Sequence, residues 1–193
     1  MRANIKLTIA LPFVLSLVLC LCLKPVLASE DVKPSSTTES FEHWVVLCNS
    51  DKTNQSVDNV NASMLCEIKT SVSIKEKNGN IRSLLSINVG QLPGKEDLTI
   101  LFQVPSGVFL RSNVMIHQIE NEQINNQALI EASYFRCGVN QCLANAILPK
   151  DILDLMMVET NFSVSFIDAS LNRIGIPISM KGFKEAIKSL MNK

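Results

Sequence analysis

Six cysteines are the side chains of this 193-residue chain that are best suited to chemistry, because a thiolate can bind a metal, exchange electrons or form a disulfide. Cys20 and Cys22 lie in an apolar stretch near the N-terminus. The other four form a distant pair, Cys48 and Cys66, and a close pair, Cys137 and Cys142. Which chemistry applies depends on the compartment in which the chain folds.

The N-terminal 28 residues have the pattern of a secretory signal peptide. A basic start precedes the uncharged apolar run 7–23, and a small-residue site ends at Ala28. We expect cleavage after Ala28, which would remove Cys20 and Cys22 and leave about 165 residues, enough for one domain with its own core. The alternative is an uncleaved membrane anchor, for which the apolar run is only just long enough.

The four remaining cysteines favour disulfides over metal or redox chemistry. Zinc sites use Cys-x2–4-Cys pairs or nearby histidines, and His43 and His117 lie in unrelated segments. A thioredoxin-type redox centre has two residues between its cysteines, whereas four residues separate the close pair here. Four cysteines allow three connectivities. We expect the nearest-neighbour scheme, Cys48–Cys66 and Cys137–Cys142, and no metal or cofactor.

From residue 41 onward the sequence has the two-residue period of β-strands. In 64–75, apolar and polar side chains alternate, which is typical of a half-buried strand. Asn78 and Gly79 then form a strong hairpin signal. Further short apolar stretches follow at regular spacing, so the pattern predicts a single all-β domain over 41–193, either a sandwich or a barrel. The polar segment 29–40 predicts a flexible leader.

Two segments have helical rather than β periodicity. Pro149 occupies a first-turn position, so we expect one or two helical turns near 149–157. A C-terminal helix is predicted near 180–191, because apolar side chains recur there on one stripe. We expect this helix to cover an open end or face of the β domain. The alternative is a helix that lies on a membrane surface, which leaves peripheral membrane association open.

No sequence motif indicates catalysis. The chain has no nucleophile elbow, histidine-rich metal motif or phosphate loop, so we predict that it is not an enzyme. Its formal net charge of +0 would become mildly acidic after cleavage, which gives no electrostatic footprint for nucleic acid. Polar residues in the loop 120–127 are candidate contacts for a partner. They are Glu120, Asn121, Glu122 and Gln123.

Five stretches stand in a fixed order along the chain. They are "WVVLC" at 44–48, Cys66, "VPSGVFLRSNVMIHQI" at 104–119, "YFRCGVNQCLANAIL" at 134–148 and "ISMKGFKEAIKSL" at 178–190. From about residue 41 to 191, this arrangement resembles the invasion-associated locus B family of exported alphaproteobacterial proteins. The chain departs from the family pattern at Gln141, where glycine often precedes the second cysteine. It also lacks the usual glycine between the short helix and the next strand.

The resemblance implies an immunoglobulin-like antiparallel β-sandwich that is periplasmic, associated with the outer membrane or secreted. Some family members are linked to bacterial entry into host cells, notably erythrocytes, and the family brings no catalytic residues. We therefore expect a non-enzymatic virulence protein whose partner is a protein of the bacterial envelope or of a host-cell surface. The alternative is a periplasmic structural or chaperone-like factor for envelope assembly, whose open sheet edge takes a client strand.

The two disulfides should contribute unequally to stability. In the chain-entropy model, the Cys48–Cys66 loop contributes about 3 kcal/mol and the shorter Cys137–Cys142 loop about 2 kcal/mol. We therefore expect single Cys→Ser variants of the first pair to melt at lower temperature than those of the second pair, when all are oxidised. Melts of the fully reduced proteins are the control, and a reversed order of Tm would contradict the prediction.

Overall fold

The computed structural model describes residues 36–50, 64–120, 123–158 and 161–193. The predicted signal peptide and residues 29–35 of the predicted leader lie outside these ranges. The strands are β1 (Ser36–Phe41), β2 (Trp44–Ser50), β3 (Met64–Lys75), β4 (Ile81–Gln91), β5 (Leu98–Pro105), β6 (Val114–Glu120), β7 (Gln123–Ile124), β8 (Ile130–Cys137), β9 (Gln141–Ile147), β10 (Asn161–Ile167) and β11 (Arg173–Ser179). The helices are α1 (Lys150–Val158) and α2 (Phe183–Met191). Within the described ranges, neither helix is long and apolar enough to span a membrane.

The strands form one curled, antiparallel sheet. Its order is β1-β2-β3-β4-β5-β9-β8-β6-β10-β11, with the short β7 beside β6. The first five strands are a meander, because each pairs with the strand that follows it in sequence. The predicted all-β, sandwich-like fold is confirmed, and both helices lie where the sequence predicts them, with shifts of a few residues at their ends.

Strand β8 carries the sheet from one layer to the other. Its first part, 130–132, pairs with β6, whereas 133–137 pairs with β9. The register shifts between Tyr134 and Arg136, as at a β-bulge, which bends a strand and increases its twist. The buried hydroxyl of Tyr134 has no hydrogen-bond partner among the described residues, and burial raises the pKa of this group to about 12.

The core lies between the two layers and follows from the alternation of side chains along each strand. In β5, every second residue, from Leu98 to Val104, is buried. Phe102 of this strand and Phe162 of β10 are both fully buried. Burying such a side chain stabilises the fold by roughly 1.5–3 kcal/mol. The alternation of side chains along the strands and the burial of the core therefore favour the same pairing of residues between neighbouring strands.

Helix α2 covers the sandwich, as the sequence predicts. Its side chains Phe183, Ala186 and Ile187 are buried, so the stripe that could face a membrane is turned into the protein. The ring of Phe183 packs edge to face on Trp44 of β2, with centroids 4.8 Å apart. The indole N–H of Trp44 donates a hydrogen bond to the carbonyl of Ser179, 3.0 Å away. One tryptophan therefore joins β2, the end of β11 and α2.

The prediction of a flexible leader is wrong for residues 36–40. These residues form most of β1, which pairs with β2 from Ser36↔Asn49 to Phe41↔Trp44. The polar composition that suggested flexibility does not prevent pairing, because the ladder uses backbone groups that every residue except proline provides.

Side chains of α2 and of the C-terminus also hold β1. The hydroxyl of Ser189 donates to Glu39 Oε2 at 2.6 Å, and the ammonium group of Lys193 contacts Oε1 of the same carboxylate. The hydrogen bonds from Lys193 and Ser189 lower the pKa of Glu39. Strand β1 and the segment that follows α2, which are far apart in the chain, are therefore side by side.

Gly182 permits α2 to begin directly against the turn between β1 and β2. Its φ is +83°, and a Cβ atom placed there would lie 2.0 Å from the carbonyl oxygen of Phe41. The adjacent carbonyl of Lys181 accepts a hydrogen bond from the backbone N–H of His43 at 3.3 Å. Any larger residue would push the helix away from the turn.

Replacing Gly182 by alanine should strongly destabilise the fold, since both the clash with Phe41 and the positive φ oppose a side chain. We expect Gly182→Ala to lower the free energy of unfolding by about 2 kcal/mol or more. Urea unfolding followed by the fluorescence of Trp44, the single tryptophan, measures this. Gly138→Ala is the matched control, because its new Cβ would have no neighbour closer than 3.8 Å. Equal losses in the two variants would refute the proposed contact.

Candidate functional site

Both disulfides join residues that lie directly opposite each other on neighbouring strands. Cys48 of β2 is bonded to Cys66 of β3, and Cys137 of β8 is bonded to Cys142 of β9. This is the nearest-neighbour pairing. The Cα atoms of each pair are 4.0 Å apart, nearer to the narrow, non-hydrogen-bonded spacing of about 4.5 Å than to the wide one of about 5.5 Å. Each bond therefore prevents a slip of register between its two strands.

His117 is the one histidine in the described residues that is buried, and it has polar partners at both ring nitrogens. Nδ1 lies 3.0 Å from the carbonyl oxygen of Asn125, and Nε2 lies 3.0 Å from Oγ of Ser165. Because a carbonyl can only accept, Nδ1–H donates to Asn125, and in the tautomer with its one proton on Nδ1, Nε2 accepts from the Ser165 hydroxyl. The ring therefore links β6 to β10 and to the segment after β7.

This serine–histidine contact lacks the other features of a nucleophilic site. Both side chains are buried, and the third partner of the ring is a backbone carbonyl instead of a carboxylate. Among the described residues, no three His, Cys, Asp or Glu side chains are grouped so that they could hold a metal ion. His43 is exposed in the turn between β1 and β2. The arrangement has the features of a satisfied polar contact within the fold.

The predicted contact residues lie at the turn between β6 and β7. Glu120 ends β6 and Gln123 begins β7, and the two are paired across the hairpin. Asn121 and Glu122 lie outside the described residues. The following segment, 123–127, is exposed but is held at Asn125, whose N–H donates to the Gln118 carbonyl at 2.9 Å. The carbonyl of Asn125 accepts a hydrogen bond from His117, so the segment 123–127 is partly anchored to the fold.

An open margin, whose position is not predicted from the sequence, lies between the part of β3 that extends beyond β2 and the edge strand β11. Strand β3 pairs with β2 only as far as Lys69, and beyond it the strands that the structure describes give 70–75 one partner, β4. At the other end of the sheet, β11 pairs only with β10 within the described part of the chain. A cleft of about 350 Å³ lies between them. It is lined by 70–72 of β3, by 177–179 of β11 and by His43.

One sequence signal could have indicated this margin. The alternating pattern of β3 covers 64–75, twelve residues, whereas β2 begins only at Trp44, directly after the β1–β2 turn, and has seven residues. A strand that is longer than its neighbour must have a part with one unpaired edge. Which second strand faces that edge depends on the curl of the whole sheet, and no local pattern contains that information.

The outer face of the first layer is uncharged across its three central strands. The register aligns, in three rows, the residues of β4, β5 and β9 that alternate with the core residues, and two of them, Ser86 and Asn88, are buried. The rows are Ser86, Gln103 and Leu143; Asn88, Leu101 and Asn145; and Gly90, Thr99 and Ile147. We call these nine residues the uncharged face. Ile147 is 63% exposed.

Comparison with known proteins identifies relatives of the whole β domain. The family model described as "Invasion associated locus B (IalB) protein" matches residues 44–191, a range that runs from the first residue of β2 to the last residue of α2. No match is found among curated proteins.

A solved structure has a similar fold. The crystal structure of invasion associated protein B from Bartonella henselae matches with a TM-score of 0.62 and 16% sequence identity. The match covers 81% of this chain and 96% of that chain. At this identity the likeness shows a common fold, and it extends over nearly the whole of the other protein.

Removing the His117 ring should destabilise the protein without affecting any surface. We expect His117→Ala to lower the free energy of unfolding by about 2 kcal/mol, because the Ser165 hydroxyl and the Asn125 carbonyl lose their partner. His43→Ala is the matched control at an exposed histidine and should change the free energy by no more than about 0.5 kcal/mol. Urea unfolding of both variants measures the difference. A neutral His117→Ala substitution would contradict the structural role of the ring.

Proposed function

Because the chain belongs to the invasion associated locus B (IalB) family, we propose that it is an exported, non-enzymatic binding protein of the bacterial envelope. The two disulfides agree with export, since such bonds persist mainly in oxidising compartments. In this proposal the chain is periplasmic, associated with the outer membrane or secreted. Its partner is a protein of the bacterial envelope or of a host-cell surface.

The observation that carries the proposal is the extent of the family match. It includes ten of the eleven described strands and both helices, so the relation concerns the complete sandwich and not a single motif. The relative of known structure is called invasion associated protein B. We extend that role to this chain as a proposal, and infer that it contributes to host-cell invasion, with erythrocytes as the first cell type to examine.

The buried polar contacts support a binding role over a catalytic one. Within the described part of the chain, the Ser165–His117 contact is enclosed by the fold, and the exposed His43 has no side-chain hydrogen bond that would orient it. General acid–base catalysis needs a group within hydrogen-bond reach of a bound substrate. A binding protein needs only a rigid surface, which the disulfides and the anchored helix α2 supply.

A second candidate function is favoured by one observation, the open margin between β3 and β11. A free strand edge can accept an extended segment of another chain by strand addition. This would suit a periplasmic structural or chaperone-like factor for envelope assembly, whose clients are only partly folded.

A deletion strain distinguishes the two functions. In the binding proposal, loss of the gene lowers entry into host cells, including erythrocytes, while resistance of the bacterial envelope to detergent stays normal. Complementation with the wild-type gene should restore entry. Complementation with Gly182→Ala, whose fold we expect to be destabilised, should restore it only weakly.

Detergent sensitivity in the absence of host cells would instead support the envelope-assembly function. Protease treatment of intact cells adds the location, because only a surface-exposed chain is cleaved before the outer membrane is opened. Normal entry and a normal envelope in the deletion strain would contradict both functions. Substrate turnover that disappears in His43→Ala would contradict the non-enzymatic proposal.

A further inference from the structure

The edge of β3 at the open margin has backbone groups directed away from its partner strand. The disulfide pair Cys48↔Cys66 is a narrow pair of the β2–β3 ladder, with Cα atoms 4.0 Å apart. In antiparallel ladders narrow and wide pairs alternate, so Glu67 and Lys69 exchange the backbone hydrogen bonds with β2. Continuing the alternation beyond the first residue of β2, Ser71 directs its N–H and C=O groups toward the open side. The β3–β4 ladder shifts register between Val72 and Ser73, but the extra residue, Leu84, belongs to β4, so the alternation along β3 itself gives Ser73 the same direction.

The carbonyl of Thr70, the residue before Ser71, confirms the direction in which the backbone groups of Ser71 point. The carbonyl of Thr70 accepts a hydrogen bond from the hydroxyl of Ser86, which belongs to β4, at 3.3 Å. Thr70 therefore faces β4, and its neighbours in the alternation face the margin. Within the described ranges, no strand occupies that side of 70–75.

The edge of β11, on the other side of the cleft, cannot fill the space beside β3 by itself. Pro177 lies in the middle of β11 and has no backbone N–H, so this edge lacks one of the donors that a ladder requires. At the end of the cleft that is next to β2, the hydrogen bond from the Trp44 indole N–H to the Ser179 carbonyl joins the two sides. The edge of β3 therefore offers an entering strand a row of backbone partners without a proline, whereas the row on β11 is interrupted at Pro177.

The chemistry of the cleft limits which side chains an entering strand can carry. Among the described residues, its lining includes the apolar Val72, Pro177 and Ile178 and no Lys, Arg, Asp or Glu. A side chain that reaches into the cleft must therefore be uncharged, and apolar groups fit best. Ile74 lies two residues after Val72 and on the same face of β3, and it is 39% exposed. It favours a second apolar side chain two positions along the entering strand.

The hairpin that carries this edge is ordered before any partner arrives. In its turn, Gly79 has a φ of +87°, and Oδ1 of Asn78 accepts from the N–H of Asn80 at 2.9 Å. Glu76 and Arg82 form an ion pair of 3.3 Å across the base of the turn. A preformed edge reduces the ordering cost of binding.

We propose that 70–75 of β3 is a strand-acceptor site for an extended peptide segment of a protein partner, with alternate apolar side chains directed into the cleft beside Pro177. This inference rests on the proposed function and deepens it, because it names a site and a chemical class of ligand that would serve a binding protein or an envelope-assembly factor, the two functions that the deletion strain distinguishes. The ligand pairs through its backbone with Ser71 and Ser73, and the cleft selects its side chains.

The test is a selection of random linear peptides, displayed on phage, against the oxidised mature protein. Enriched peptides should have an alternating apolar pattern and should be synthesised as fluorescent probes. We expect Ser71→Pro to weaken their binding more than about tenfold, because it removes one edge donor and places a ring where the peptide backbone must approach. Ser71→Ala, which keeps the N–H, should bind as the wild type does.

Two further variants keep the test decisive. Ser73→Pro removes the next edge donor and replaces Ser71→Pro if that variant does not fold, as judged by its melt and by thiol titration. Thr99→Lys alters the uncharged face, on the outer side of the same layer, and should leave peptide binding unchanged. Amide hydrogen exchange of Ser71 and Ser73 should slow when the probe peptide is added.

Three results would overturn the inference. They are a selection that yields no peptide, binding that is equal in the proline and alanine variants, and binding that is lost in Thr99→Lys. Self-association of the wild type that Ser71→Pro abolishes would also overturn it, since the occupant would then be a second copy of the chain. None of these results affects the host-entry and detergent tests, so failure of the site is distinguishable from failure of the proposed function.

Discussion

The two ends of the curled sheet are held together by the side chain of Trp44. Its indole N–H reaches the last residue of β11, and its ring packs against the first residue of α2. Because the ring is fully buried, this contact depends on the close approach that Gly182 allows at the turn between β1 and β2. One set of neighbouring residues therefore determines how the sandwich closes, where α2 packs and how wide the open margin is.

Much of the fold could be predicted from local patterns in the sequence. The hairpin at Asn78 and Gly79, the alternation of β3 and the two helices each depend on residues that are close in the chain. The nearest-neighbour disulfides belong to the same class, because Cys48 and Cys66 lie on strands that are consecutive in sequence, and Cys137 and Cys142 flank one hairpin. Where pairing is local, spacing and turn chemistry are sufficient.

The rest depended on contacts between residues that are far apart in the chain. The polar sequence of β1 predicts a flexible leader because it does not indicate that side chains of a distant segment, α2, hold Glu39. The polar sequence after β6 indicates a candidate contact loop but not that His117 holds Asn125, because this depends on which face of β6 is covered. The open margin is a property of the curl that brings β3 and β11 together. Such features follow from the relative position of whole strands.

The contact between Glu39 and the C-terminal residues Ser189 and Lys193 has a topological consequence. Since β1 and the segment that follows α2 lie side by side, a short linker could join them in an engineered protein of residues 36–193, and new ends could be opened at another surface turn. Such a circular permutant would keep every ladder of the sheet. It would also move the point of attachment to any fused reporter or surface anchor away from the α2 side, so that this side of the domain could be left uncovered in a displayed or immobilised protein.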